Sequence, residues 1–206
     1  MDKHQIPDIV VGRLPLYLRT LQQMALEGRQ VTSSQELGER LGISAAQIRK
    51  DLSQFGEFGK QGTGYNIEYL VSQVSHILHL EKLWDMVVIG AGDVGHAVAR
   101  YQGFKNRGFR VVMVFDNDPG KIGMKIGEYV VQDMADMAEL VKKSNIQIAM
   151  LAVPVTQAQA VTNLLVEAGV RAILNYAPIN LTVPAGVLTQ YFDPAIHLQR
   201  MSYYLE

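Results

Sequence analysis

MVVIGAGDVG, residues 86–95, runs from an apolar strand straight into a glycine turn and then a helix. The pattern Gly90-x-Gly92-x-x-Gly95 gives each glycine a separate task. Gly90 permits the tight turn, Gly92 lets the backbone approach a pyrophosphate, and Gly95 lets the helix pack on the strand. The helix start adds unpaired N–H groups and a partial positive charge. A second strand ends at Asp116, 21 residues after Gly95 (116 − 95). Its carboxylate is placed to accept from ribose hydroxyls and to repel a 2′-phosphate, which favours NAD(H). Lys121 and Lys125 lie close by, so NADP(H) stays open, as does another adenine cofactor such as coenzyme A. Gly90, Ala91, Gly92, Asp93, Val94, Gly95 and Asp116 are thus candidate cofactor-binding residues.

Outward from this turn the pattern predicts strands at 86–90, 110–115, 129–132, 147–153, 172–175 and 188–192. Helices are predicted near 94–104, 134–144 and 156–168. Such alternation points to an α/β domain with a parallel sheet covered on both faces. Val153 and Pro154 follow the fourth strand, and Asn175, Ala177 and Pro178 follow the fifth. Ligands in open α/β sheets lie beyond the carboxyl ends of strands, so these five residues are candidates for the nicotinamide side.

Before Trp84 the periodicity is helical. Pro15 opens a helix that Gly28 stops, Thr32–Ser34 caps a second that ends at Gly42, and Ser44 caps a third over 44–55. This is the helix-turn-helix arrangement. The glycine-rich stretch 57–67 suits a β-hairpin, and 69–84 reads as a connector helix. On the third helix Ala45, Ile48, Leu52 and Phe55 share an inward face. Gln47, Lys50 and Gln54 lie opposite it, flanked by Arg49 and Ser53. Side chains of these types contact base edges and phosphates, and Lys60, Gln61 and Thr63 are placed to reach the backbone or minor groove. Asp51 and Glu57 dilute the local charge. The domains expected are 1–84 and 85–192, with residues 193–206 as a C-terminal segment.

Composition sets the outer bounds. The chain has 206 residues, a net charge of −1 and no cysteine, which removes disulfides and thiolate metal sites from consideration. Charge balance alone gives no sign of a polyanion partner. No apolar run is long enough to cross a bilayer, and the chain reads as soluble and cytoplasmic. None of the five histidines pairs locally with a carboxylate in a catalytic pattern, so no catalytic residue and no metal site is assigned. Two alternatives remain at this point: a small NAD(P)-dependent oxidoreductase, and a winged-helix regulator of another nucleotide.

QIRKDLSQFGEFGKQGTGYNI (47–67), VVIGAGDVG (87–95), FDNDPGKIG (115–123), LAVP (151–154) and ILNYAPINLTVP (173–184) together resemble the Rex family of bacterial redox-sensing repressors. The resemblance implies a homodimer with an N-terminal winged helix, a Rossmann domain and a domain-swapped C-terminal helix. It implies binding to an inverted-repeat operator and release when NADH occupies the site, in response to the NADH/NAD+ ratio. It places Arg49 and Lys50 on the recognition helix and Lys60 to Tyr65 in the wing. Tyr101 falls near the nicotinamide, and Arg13 with Asp193 become a candidate interdomain latch.

Overall fold

The structure is a computed structural model that describes residues 6–59 and 64–205. The chain divides into two units, one up to Lys82 and one from Leu83.

The first unit contains α1 (Asp8–Val11), α2 (Leu14–Leu26), β1 (Val31–Thr32), α3 (Ser34–Leu41), α4 (Ala45–Ser53), β2 (Tyr65–Asn66) and α5 (Ile67–Ile77). Leu14, Tyr17, Leu18, Leu21 and Met24 line the buried stripe of α2, the i, i+3/i+4 spacing of a core-facing helix. Ser33 Oγ accepts from Glu36 N at 3.1 Å, and Ser44 Oγ accepts from Gln47 N at 3.2 Å, so both helices of the helix-turn-helix carry the expected caps. Between them Gly42 takes φ 68°, the left-handed conformation that lets Ile43 N donate back to Gly38 O. Gly38 has a role the sequence did not reveal. A Cβ there would collide with the Ile43 carbonyl oxygen, so its absence lets the turn close on α3. Ile48 and Leu52 of α4 join Leu14, Tyr17, Leu37, Ile67 and Leu70 in one buried core.

One expectation for this unit needs correction. The connector helix stops at Ile77 rather than 84, because Leu80 N donates to Ser75 O and His79 N to His76 O. His79 adopts φ 55° there, so a histidine serves where glycine is usual, and no glycine signal marked the stop. The stretch 57–67, expected as a β-hairpin, has its centre, residues 60–63, outside the described residues. Its strand, Tyr65–Asn66, pairs antiparallel with Val31–Thr32, ahead of α3.

The second unit begins with β3 (Trp84–Ile89), α6 (Asp93–Arg100) and a 3-10 turn over Gln102–Arg107. It continues with β4 (Phe109–Asp116), β5 (Lys125–Ile126), β6 (Tyr129–Asp133), α7 (Met137–Lys143), β7 (Ile148–Leu151), α8 (Val155–Glu167), β8 (Ala172–Asn175), β9 (Leu188–Tyr191) and α9 (Pro194–Ser202). The sheet order is β5-β6-β4-β3-β7-β8-β9, parallel except for the short edge strand β5. Val87 and Ile89 bury into one layer with Phe115, Met137 and Leu165. Met86 and Val88 bury into the opposite layer with Val98, Val114 and Met150. Alternate residues of one strand thus serve both faces, as a sheet covered on both sides requires. The order of strands reverses between β3 and β7, which leaves a crevice beyond their carboxyl ends.

Candidate nucleotide cleft and nucleic-acid interface

At that crevice lies a cleft of about 590 Å³. Gly90, Gly92, Asp93, Val94, Asp116, Val153 and Pro154 line it, all expected from the sequence. Two of the glycines carry the tasks the motif predicts. Gly90 sits at φ 97°, and a Cβ on it would strike the Ala152 carbonyl oxygen of the neighbouring strand end. A Cβ on Gly95 would strike the Gly90 carbonyl oxygen, so α6 could not approach β3. Gly92 is different. It has an ordinary φ of −84°, and a Cβ there would meet nothing within 4 Å. Nothing in the protein requires glycine at 92, and its bare backbone faces the cleft as a close-approaching ligand would need.

Asp116 is buried at the end of β4. Its Oδ2 accepts from Ala91 N at 2.7 Å and its Oδ1 from Asp118 N at 2.8 Å, while Lys121 Nζ lies 3.3 Å from Oδ2. Burial pushes this carboxyl up, but the two N–H donors and the lysine ammonium outweigh it and hold the group below its ordinary value. The carboxylate is therefore charged at neutral pH, and it ties the glycine turn to β4. A carboxylate oxygen can accept more than one hydrogen bond, so Asp116 retains acceptor capacity toward the cleft. These groups fit a dinucleotide: bare backbone at Gly92, the N–H donors at the start of α6 beside it, and a charged acceptor at Asp116.

Not every expected residue joins the lining. Ala91 contributes through its N–H to Asp116 and Gly95 through packing. Asn175 shapes a turn instead: its Oδ1 accepts from Ala177 N and its Nδ2 donates to Ala177 O and Ile179 O, which fixes 175–179. Ala177 and Pro178 belong to that turn and not to the cleft wall. Tyr101 stands outside the wall as well, half-exposed, its ring edge-on to Phe104 at 4.8 Å. The tyrosine ring occupies the space a Cβ on Gly103 would need, 2.5 Å from its hydroxyl oxygen, so Gly103 lets the ring fold back there. Lys121 and Ala152 also stand in the wall, and Asn117, Asp118, Met134, Gln157 and Val161, which the sequence does not single out, complete it, since only the folded loops bring them to one place.

On the first unit a second cleft, of about 620 Å³, runs between α3, α4 and the segment before β2, with Ser34, Arg49, Ser53, Gly59 and Tyr65 in its walls. Arg49, Lys50 and Ser53 are exposed and Gln54 half-exposed, and Arg49 Nη1 donates to Ser34 Oγ at 2.9 Å. Lys60, Gln61 and Thr63 lie outside the described residues. Asp51 departs from expectation. It is wholly buried, and its carboxylate accepts from Arg13 Nε at 2.5 Å, Arg13 Nη2 at 2.7 Å, Tyr17 OH at 2.5 Å and Gln47 Nε2 at 2.7 Å. Asp51 therefore does not dilute the outward charge of α4, because Arg13 neutralises it inside. Gln47 is half-buried against it rather than freely solvated. Of the candidate latch pair, Arg13 binds Asp51 within its own unit, and Asp193 caps α9 by accepting from Ala195 N at 2.9 Å.

Comparison with known proteins places this arrangement. Residues 5–53 match the family described as putative DNA-binding protein N-terminus, and residues 81–179 match the CoA binding domain. A relative from Chloroflexus aggregans, the redox-sensing transcriptional repressor Rex, is 52% identical over 98% of this chain and 95% of its own length. The Rex of Carboxydothermus hydrogenoformans is 42% identical over 98% of both chains. The chain belongs to the Rex family. Among solved structures, the Rex-family repressor RSP in complex with β-NAD+ and operator DNA is 38% identical. It covers 97% of this chain and 92% of its own, with a TM-score of 0.92. RSP in complex with β-NADH matches with 36% identity, 98% and 94% coverage and a TM-score of 0.90. Rex relatives are named repressors rather than enzymes. Among the described residues of this chain, no helix is long and apolar enough to cross a membrane.

Proposed function

We propose that this Rex chain is an NADH-responsive transcriptional repressor that holds an inverted-repeat operator as a homodimer and releases it when NADH fills the glycine cleft. The carrying observation is that a helix-turn-helix with an outward cationic face and an Asp116-closed dinucleotide cleft occur in one Rex-family chain. Arg49 and Lys50 supply phosphate or base contacts, with Ser53, Gln54 and Tyr65 beside them, and Lys60, Gln61 and Thr63 add contacts to the DNA backbone or minor groove. One such helix makes a modest contact set, and two related by a two-fold axis read two half-sites. A second copy also gives cover to α9, whose Ile196, Leu198 and Met201 are exposed.

In the cleft, Gly90 to Gly95 receive the pyrophosphate and Asp116 the ribose hydroxyls. Val153 and Pro154, with Met134 and Val161, give low-polarity walls that favour a neutral reduced ring over its cationic oxidised form. Tyr101, Asn175, Ala177 and Pro178 belong to the nicotinamide end of this reading. The nucleotide is bound and released unchanged, and the protein works in the cytoplasm. Regulation requires only that NADH bind the released form more tightly than the DNA-holding form.

A mobility-shift titration tests this directly. NADH is expected to dissociate the protein from an inverted-repeat operator, with NAD+ far less effective. Retention of operator at NADH concentrations that saturate the cleft would sink the reading. A second outcome concerns cofactor choice. Asp116→Asn keeps one acceptor but removes the charge that opposes a 2′-phosphate, so the preference for NADH over NADPH should narrow by about tenfold or more, roughly 1.4 kcal/mol. Titrations of both dinucleotides against wild type and variant give the ratio, and an unchanged ratio removes Asp116 from that role.

A further inference from the structure

We propose that Asp51 is a specificity-positioning residue, which fixes the edge of the Gln47 amide that α4 presents to a base pair. The inference rests on operator binding through α4. Asp51 has no exposed surface and sits one turn after Gln47 on the same helix. Its four contacts come from donors only: two guanidinium nitrogens, one phenol and the Gln47 amide nitrogen. An ionised carboxylate can only accept. Arg13 and Tyr17 keep this one ionised, so Gln47 must turn its nitrogen inward, since the flipped amide would set oxygen against oxygen.

A glutamine on a free helix face samples both orientations and many rotamers. This one arrives already held. One N–H is used on Asp51, which leaves the amide oxygen and the second N–H for a ligand. In the major groove that pair matches adenine, whose N6 amine donates to the oxygen while N7 accepts the N–H. Guanine presents two acceptors, O6 and N7, and so meets the amide oxygen with repulsion. Asp51 thus selects for adenine at one position of each half-site without touching DNA. Because Arg13 and Tyr17 belong to the N-cap and body of α2, the setting of Gln47 is referred to a second helix rather than to α4 alone.

Site selection from a randomised inverted repeat, with full-length wild type, Gln47→Ala, Asp51→Asn and Tyr17→Phe, tests this. Wild type should select adenine at one symmetric position. Gln47→Ala should lose that preference by about tenfold and leave the other positions intact. Asp51→Asn can donate to the Gln47 oxygen and so frees the amide to turn, which should relax the same position and no other. Tyr17→Phe removes a donor but not the Gln47 contact, so it should lower the melting temperature while keeping the adenine. Gln47→Ala selecting the wild-type site overturns the proposal, as does a folded Asp51→Asn with unchanged preference. The side-chain amide resonances of Gln47 in the DNA-free protein give an independent readout. A shifted, slowly exchanging N–H supports positioning, and an averaged amide like that of an exposed glutamine overturns it. If wild type selects no sequence, operator binding through α4 fails, and the amide resonances still decide whether Gln47 is held.

Discussion

Gly95→Ala is expected to abolish NADH binding and to destabilise the second unit. The added methyl would lie on the Gly90 carbonyl oxygen, with the Gly90 carbonyl carbon 2.9 Å away. Both are main-chain atoms, so no rotamer change relieves the contact. Nor can the turn retreat, because Gly90 itself leaves no room for a side chain against Ala152 O. Overpacking of this kind costs about 1–3 kcal/mol where a core can adjust, and the upper end applies where backbone meets backbone. Displacing α6 from β3 also removes the N–H groups that face the cleft, so NADH affinity should fall by about a hundredfold or more. Gly92→Ala is the matched contrast. Its methyl meets no protein atom, so the melting temperature should stay near wild type while NADH binding weakens through intrusion into the cleft. Fluorescence titration and thermal unfolding of the two variants separate packing from ligand approach. Wild-type NADH affinity in Gly92→Ala would show that no ligand closes on that backbone.

The second large effect belongs to Asp51→Ala. Removal of the carboxylate leaves the Arg13 guanidinium, about one-fifth exposed, without its partner and strands the Tyr17 hydroxyl in the core. Breaking a buried pair from one side costs about 3–5 kcal/mol, and the partial exposure of Arg13 places this case near the lower figure. Chemical denaturation of the full chain reads the loss. The same contacts predict a pH dependence. Burial pushes the Asp51 carboxyl up, but Arg13, Tyr17 and Gln47 more than compensate, and the folded group lies below its ordinary 3.8. A group whose folded value is depressed contributes stability that is fully present above the unfolded value and lost as pH falls through the folded one. Wild type should therefore lose stability between about pH 5 and the acid limit more steeply than Asp51→Ala. Parallel curves for the two proteins would contradict this.

What could be read from the chain, and what could not, follows from range. The glycine turn is local, and Gly90 and Gly95 do what their spacing implies, because strand, turn and helix start fall within ten residues. Ser33 and Ser44 are legible for the same reason, since a capping side chain reaches only three residues ahead. Asp51 was misread because its partners Arg13 and Tyr17 lie 38 and 34 residues away. Helical periodicity alone placed it with the solvated side chains. The turn that Asn175 holds with Ala177 and Ile179 is also local, but nothing in the residue type distinguishes a turn-holding amide from a ligand-facing one after a strand. The stop at His79 escaped because left-handed backbone at a histidine carries no compositional mark.

The exposed apolar surface of the last segment bears on how this protein should be measured. Ile196, Leu198, Met201, Tyr203, Tyr204 and Leu205 are each 59–82% exposed in the single chain. If a second copy covers them, the folded state is coupled to association by mass action, and its free energy includes a dilution term. A melting temperature quoted for this protein is then a property of a solution at a stated protomer concentration. Variants compared at unequal concentrations would show differences that belong to the pipette and not to the residue.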